Sequence, residues 1–266
     1  MDLWQSVVLA LIQGITEFLP ISSSGHLVIA REFFGWEDAG AAFDAFTGLG
    51  TLTAVIIYFR REIKDLFLAF FDQFSCENFD RANARLANQL IIATLPALII
   101  GYLVKDYVDV LTHSPKVIAF TTIFYAVLLY LSDRLGKKTR TLKQTSYRDA
   151  IIYGFAQALA LIPGTSRSGI TITAGLALGY DRKSAAKFSF LLSIPISAAA
   201  GLYGLLKLLK NPEQFPLFNV FIAYIVSLVS AYFCIALFIR FLDLIGMLPH
   251  AIYRLCLGIA IIVILV

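Results

Sequence analysis

The chain has 266 residues, of which 59% are hydrophobic and 15% charged, and its mean hydropathy is +0.78. A soluble domain carries about 25% charged residues, so the composition excludes an ordinary soluble fold and implies a single integral membrane domain over 1–266. The net charge of +4 is too small to mark a nucleic-acid-binding surface, so no nucleic-acid partner is expected, and the three cysteines (Cys76, Cys234, Cys256) have neither disulfide-framework nor metal-site spacing.

The opening "MDLWQSVV" has no basic stretch ahead of its apolar run, so no cleavable leader is expected. Residues 3–36 are apolar but broken by "LPISSSG". Pro20 discourages helix in the residue before it, and Gly25 relaxes the backbone beyond. Three apolar runs follow, at about 42–59, 86–104 and 117–132. A second broken run, 150–180, contains "IPGTSRSG" with Pro163 and Gly169. Three more apolar runs follow, at about 188–206, 217–239 and 251–266. The unbroken runs suit spanning helices, which need about 20 residues, fewer with interfacial ends.

A serine-rich break in lipid would strand backbone polar groups unless protein buries it or it lines a cavity. Both broken runs are therefore read as re-entrant helix hairpins. The competing reading of 3–36 is one kinked span followed by an interfacial helix. The charges favour hairpins. With neither broken run crossing, segments 60–85, 133–149, 181–187 and 240–250 share one side and hold 15 of the 22 Lys and Arg. Basic loops stay cytoplasmic, so both termini are expected outside.

A shift of 144 positions lays Gln13 on Gln157, Ser22 on Ser166, Ser24 on Ser168 and Gly25 on Gly169. Each half, about 1–135 and 147–266, is one broken hairpin followed by three spans. Three is odd, so the halves must be inverted. The expected fold is an all-α polytopic membrane protein, six transmembrane helices plus two re-entrant hairpins in an inverted-topology repeat. Such repeats place a binding site where the broken helices converge.

The polar residues at these breaks carry the chemistry. Gln13 and Glu17 are four apart on one helix face. An ionisable group such as Glu17 within an apolar run is functional by default, the alternative being a structural carboxylate paired to a buried Arg. Ser22, Ser23 and Ser24 precede Gly25, where helix resumes. One serine serves as an N-cap; three beside a glycine, at a positive dipole end with free N–H groups, suit a phosphate. The second break repeats the device with Ser166, Ser168 and Gly169 and adds Arg167, whose planar fork matches phosphate oxygens. His26 among these serines is a candidate general base or acid. His113 and His250 lie near predicted membrane edges and are read as structural. Asp44 is either a site carboxylate or interfacial, and Arg254, one turn into the last span, is expected to snorkel to the cytoplasmic face.

"QGITEFLPISSSGHL" and "PGTSRSG" together resemble the two signature motifs of the undecaprenyl-diphosphatases, the bacitracin-resistance membrane phosphatases, and the likeness runs over the whole chain. The resemblance implies removal of the terminal phosphate of undecaprenyl diphosphate, which regenerates the carrier lipid of cell-wall synthesis in the bacterial inner membrane. It maps the reactive Ser and His onto Ser23 and His26 and the essential Arg onto Arg167. It also implies a divalent cation, Mg²⁺ or Ca²⁺, and a homodimer. The family writes Glu or Gln at the first position of its first motif; Gln13 here leaves Glu17 as the one carboxylate, and the expected metal ligand, in that motif. "SSSGH" is also locally like the "PSGH" of the lipid-phosphatase superfamily, but that superfamily's other motifs are not present in order.

The expected site therefore holds Glu17, Ser23, His26 and Arg167 as catalytic groups. Gln13, Ser22, Ser24, Gly25, Ser166, Ser168 and Gly169 bind the diphosphate head, which enters from the external face while the polyprenyl tail stays in the bilayer. Two attacks remain open: Ser23 with His26 as base, or His26 itself with Ser23 positioning the phosphate. The rival function is a transporter or flippase for an anionic polyprenyl lipid, which suits an inverted repeat equally but does not need a nucleophile beside a base. A channel is disfavoured by the lack of repeated charge rings.

Overall fold

The computed structural model describes residues 2–36, 40–112, 114–210 and 217–266. Among these the chain is helical throughout: α1 (Leu3–Thr16), α2 (Ser23–Phe34), α3 (Gly40–Tyr58), α4 (Arg60–Ser75), α5 (Arg81–Thr112), α6 (Pro115–Leu135), α7 (Tyr147–Leu159), α8 (Arg167–Ala177), α9 (Arg182–Lys210), α10 (Leu217–Ile245) and α11 (Leu248–Leu265). Among the described residues five stretches, Arg81–Val104, Pro115–Leu135, Arg182–Leu206, Phe218–Ile245 and Leu248–Leu265, are long and apolar enough to cross a bilayer. The apolar part of α3, Phe46–Tyr58, is shorter. The two broken runs each form a pair of short helices, α1–α2 and α7–α8.

Local sequence sets the helix ends. Asp2 and Gln5 cap α1 reciprocally, and Ser146 and Asp149 do the same for α7. Pro115 opens α6, where its missing N–H is not needed. Gly35, at φ 62°, ends α2 in the left-handed conformation a glycine adopts without strain.

The helix α4 departs from expectation, since residues 60–85 read as a polar loop. Leu66 and Ala69 of α4 are buried and the helix packs on α5, while Phe67, Phe71 and Phe74 stay exposed. Charges interleaved with these apolar positions keep its average hydropathy low, which hides an amphipathic helix from a search for spans.

The packing repeats between halves. Contacts of α1 with α10, α2 with α11 and α3 with α10 recur as α7 with α5, α8 with α6 and α9 with α5. Helices α3 and α9 pack on each other, as do α6 and α11. The main core lies where α3, α9 and α10 meet, with Leu52, Val55, Phe59, Phe188, Phe190 and Ile235 buried. Close approach there depends on small residues: a Cβ on Gly50 would stand 2.6 Å from the Tyr224 carbonyl. Large apolar side chains such as Ile99, Phe218, Phe233 and Val263 are exposed on the outside, where a bilayer would cover them.

The base of the α7–α8 pair is tied by Asp149. Its carboxylate accepts from Arg140 Nη2 at 2.6 Å, Tyr180 Oη at 2.8 Å and the Ser146 amide at 2.9 Å. Burial pushes this carboxyl up, but Arg140, Ser146 and Tyr180 outweigh it and hold it at about 2. A depressed folded-state value stabilises above the unfolded carboxyl range and is lost on acidification. Thermal unfolding in detergent is expected to show Asp149-dependent stability at neutral pH that fades as pH falls from about 4 to about 2. Asp149→Asn should flatten that part of the profile.

Candidate active site

The turns joining α1 to α2 and α7 to α8 meet, and they share one construction. Ser22 caps α2 through Gly25 N and Ser166 caps α8 through Gly169 N, at 3.4 and 3.1 Å. Ser22 Oγ shares a 3.2 Å hydrogen bond with Ser24 Oγ, and Ser166 Oγ shares one of 3.2 Å with Ser168 Oγ. Both capping serines have positive φ, 73° and 67°. Such a backbone costs a non-glycine residue about 1–3 kcal/mol and persists only where its surroundings over-determine it. The two turns also bond directly: Gly164 N donates to Ser24 Oγ at 3.2 Å, and Ser168 Oγ donates to the Leu19 carbonyl at 2.9 Å.

Chemistry enters where the two halves differ. The 144-residue shift places Leu161 opposite Glu17 and Arg167 opposite Ser23. One turn therefore carries the carboxylate and the other the guanidinium. Arg167 Nη2 donates to Glu17 Oε1 at 2.8 Å across 150 residues of sequence, with side chains 13% and 18% exposed. The second carboxylate oxygen accepts from Gln13 Nε2 at 2.9 Å and Ser23 Oγ at 3.0 Å. Arg167 Nη1 is buried without a partner, and the guanidinium lies 5.7 Å from the Phe18 ring. Gln157, the counterpart of Gln13, is buried with its amide unpartnered, since Leu161 gives it no carboxylate.

Glu17, Ser23, Ser24, Gly164, Ser166 and Arg167 line a cavity of about 270 Å³. Pockets for drug-sized ligands run from about 300 to 1,000 Å³, so this one suits a polar head group and not a long tail. Among the described residues, no hydrogen bond uses the amides of Ser23, Ser24, Arg167 or Ser168, the first turns of α2 and α8. With Arg167 Nη1 they are donors of the kind an anion accepts from.

His26, in the first turn of α2, is not among the residues that line this cavity. Its Nδ1 lies 2.7 Å from the Ser22 carbonyl and its Nε2 2.7 Å from Tyr253 Oη. The group bonded to Ser23 is Glu17. Glu17, Ser23, Arg167 and Gln13 thus come together, with Ser22, Ser24, Gly25, Ser166, Ser168 and Gly169 building the turns that hold them. Asp44 pairs with Arg31 at 2.5 Å and is not part of this cluster. His250 lies edge-on to Phe238; His113 is outside the described residues.

Arg254 corrects the expectation of a snorkelling side chain. It is 0% exposed and donates to the carbonyls of Pro20 (3.4 Å), Thr122 (3.2 Å), Gly164 (3.0 Å) and Thr165 (2.9 Å). One guanidinium from α11 thereby satisfies carbonyls of both turns. Gly169 makes room for it, because a Cβ there would stand 2.6 Å from Arg254 Nη1. Sequence held one hint, an Arg embedded in an apolar run, but both turns lie far from it in sequence. Arg254→Met removes the donor and strands buried carbonyls, so it should cost about 1–3 kcal/mol for each carbonyl left without a partner. A clearly lowered unfolding midpoint in detergent would show this; an unchanged midpoint would mean the carbonyls find other partners.

For a divalent cation the donor set is thin. Among the described residues no group of three or more His, Cys, Asp or Glu is placed to hold a metal ion. Glu17 is the one carboxylate lining the cavity. That set fits a cation that keeps most of its oxygens from water and phosphate, as Mg²⁺ does.

A family model described as bacitracin resistance protein BacA matches residues 6–260. The chain is 59% identical to an undecaprenyl-diphosphatase of Dichelobacter nodosus over 259 residues, 97% of each chain. It is 46% identical to undecaprenyl-diphosphatase 1 of Pseudoalteromonas translucida, over 100% of this chain and 99% of that one. It is 49% identical to an undecaprenyl-diphosphatase of Saccharophagus degradans, over 97% and 96%.

Proposed function

Because this chain belongs to the bacitracin resistance protein BacA family, we propose that it is an undecaprenyl-diphosphatase whose Glu17–Ser23–Arg167 cluster hydrolyses undecaprenyl diphosphate to undecaprenyl phosphate and inorganic phosphate. The hydrolysed lipid is the cell-wall carrier, and its recycling is what gives bacitracin resistance. The observation that carries the site assignment is the contact of one carboxylate with both Ser23 Oγ and Arg167 Nη2.

The diphosphate enters the cavity and its tail remains in lipid. Arg167 turns from Glu17 to the phosphate oxygens, for which the unpartnered Nη1 is already available. The free amides at the starts of α2 and α8 take up charge that develops in the transition state. Releasing Arg167 leaves Glu17 free to accept the proton of Ser23 Oγ, 3.0 Å away, as Ser23 attacks the terminal phosphorus, the bridging P–O bond breaks and undecaprenyl phosphate leaves with that bond's electron pair. His26 lies three residues along the same helix and is assigned to proton transfer in the later attack by water. A divalent cation would be held by Glu17 and would supply neutralisation of diphosphate charge.

The six-span, two-hairpin inverted repeat belongs to this proposal. The recurrence of helix contacts between halves supports it, as do the matched serine caps. Inner-membrane residence, a homodimer and a site open to the external face belong to the same proposal. The concentration of 15 of 22 Lys and Arg on the opposite side supports the orientation.

Purified protein should release phosphate from a polyprenyl diphosphate in detergent. Arg167→Ala should lower kcat by about 10²–10³-fold or more with an unchanged unfolding midpoint. Ser23→Ala should prevent any covalent phosphoenzyme. No release under any divalent cation would favour the transport reading instead. Orientation has its own check: Ser24→Cys should be modified by an impermeant thiol reagent added outside, and protection from outside with reaction from inside would reverse it.

A further inference from the structure

The proposed chemistry leaves Tyr253 without a role, although its hydroxyl is 2.7 Å from His26 Nε2 and its ring is parallel to the imidazole, 7° apart in plane with centroids at 5.4 Å. The contact joins the start of α2 to α11 over 227 positions of sequence. From this geometry we infer that Tyr253 is a positioning residue for His26, fixing the plane of its ring and keeping a proton-accepting nitrogen at Nε2.

The tautomer follows from the other nitrogen. The Ser22 carbonyl, 2.7 Å from Nδ1, can only accept, so Nδ1 carries the hydrogen and Nε2 the lone pair. The Tyr253 hydroxyl therefore donates to Nε2 while the imidazole is neutral. When His26 takes a proton at Nε2, the hydroxyl rotates about its C–O bond and its oxygen accepts from Nε2–H. One phenol thus serves both protonation states without moving the ring. A carbonyl or an ammonium could serve only one, because the former only accepts and the latter only donates. The strained turn contributes as well: Ser22, at φ 73°, presents the carbonyl that locks Nδ1. Arg254, the next residue on α11, holds both turns. A single helix turn therefore orients the turns and the imidazole together.

This inference rests on His26 acting in the proposed hydrolysis, and the test separates the two. Tyr253→Phe keeps the stacked ring and deletes only the hydroxyl, so folding is not at issue. In the full-length protein, kcat for phosphate release should fall about tenfold, in line with losing one hydrogen bond, with KM unchanged. The ¹⁵N resonance of His26 Nε2, assigned by its disappearance in His26→Gln, should shift in Tyr253→Phe. In the His26→Gln background, Tyr253→Phe should change nothing further. An unshifted Nε2 resonance would overturn the contact. Full turnover in Tyr253→Phe, or in His26→Gln, would overturn the role while leaving phosphate release by the wild-type protein intact. Absence of release by the wild-type protein would instead strike the hydrolase reading.

Discussion

A guanidinium buried without a carboxylate is the constraint around which this molecule is built. Arg254 could not be carried into an apolar interior alone, because desolvating an ion costs several kcal/mol even after relaxation. It is tolerated because two broken helices present carbonyls that have lost their helical partners. Donor and acceptors solve each other's problem: Pro20 and Thr165 would otherwise be stranded at the breaks, and Arg254 would otherwise be an unpaired charge. The breaks are thereby fixed against one another by one side chain of α11, and the residues at their tips inherit that precision.

On this scaffold the halves are alike in backbone and opposite in charge. Ser22 and Ser166 adopt the same strained conformation and cap the same way. Glu17 has only Leu161 as its counterpart, and Arg167 only Ser23. A repeat with both groups in each half would place like charges close together. Divided between halves, they form one ion pair. The same carboxylate holds the Ser23 hydroxyl, so in the proposed reaction binding of an anion by Arg167 and activation of Ser23 are two consequences of one displacement.

Much of this was legible in the sequence. Composition, the two interrupted apolar runs and the placement of Lys and Arg gave the helical membrane class and the two helix pairs, because a bilayer leaves few options for backbone polar groups. Gln13, Glu17, Ser23 and Arg167 stood out as polar residues in apolar surroundings, and the structure brings them together. α4 was not legible, since its apolar face is short and interleaved with charge. Nor was the fate of Arg254: an Arg near a helix end snorkels or is buried according to what surrounds it, and its surroundings come from residues 89 to 234 positions away.

What the sequence determined by itself is therefore which residues are chemically out of place, and where the chain cannot continue as helix. Those follow from local composition and from the solvent. What only the tertiary structure decided is partnership. Spacing puts His26 near Ser23, but Ser22 O and Tyr253 hold its two nitrogens, and Glu17 is the group bonded to Ser23. Sequence proximity on a helix sets which side chains can meet, whereas hydrogen-bond direction and the helices packed alongside set which of them do.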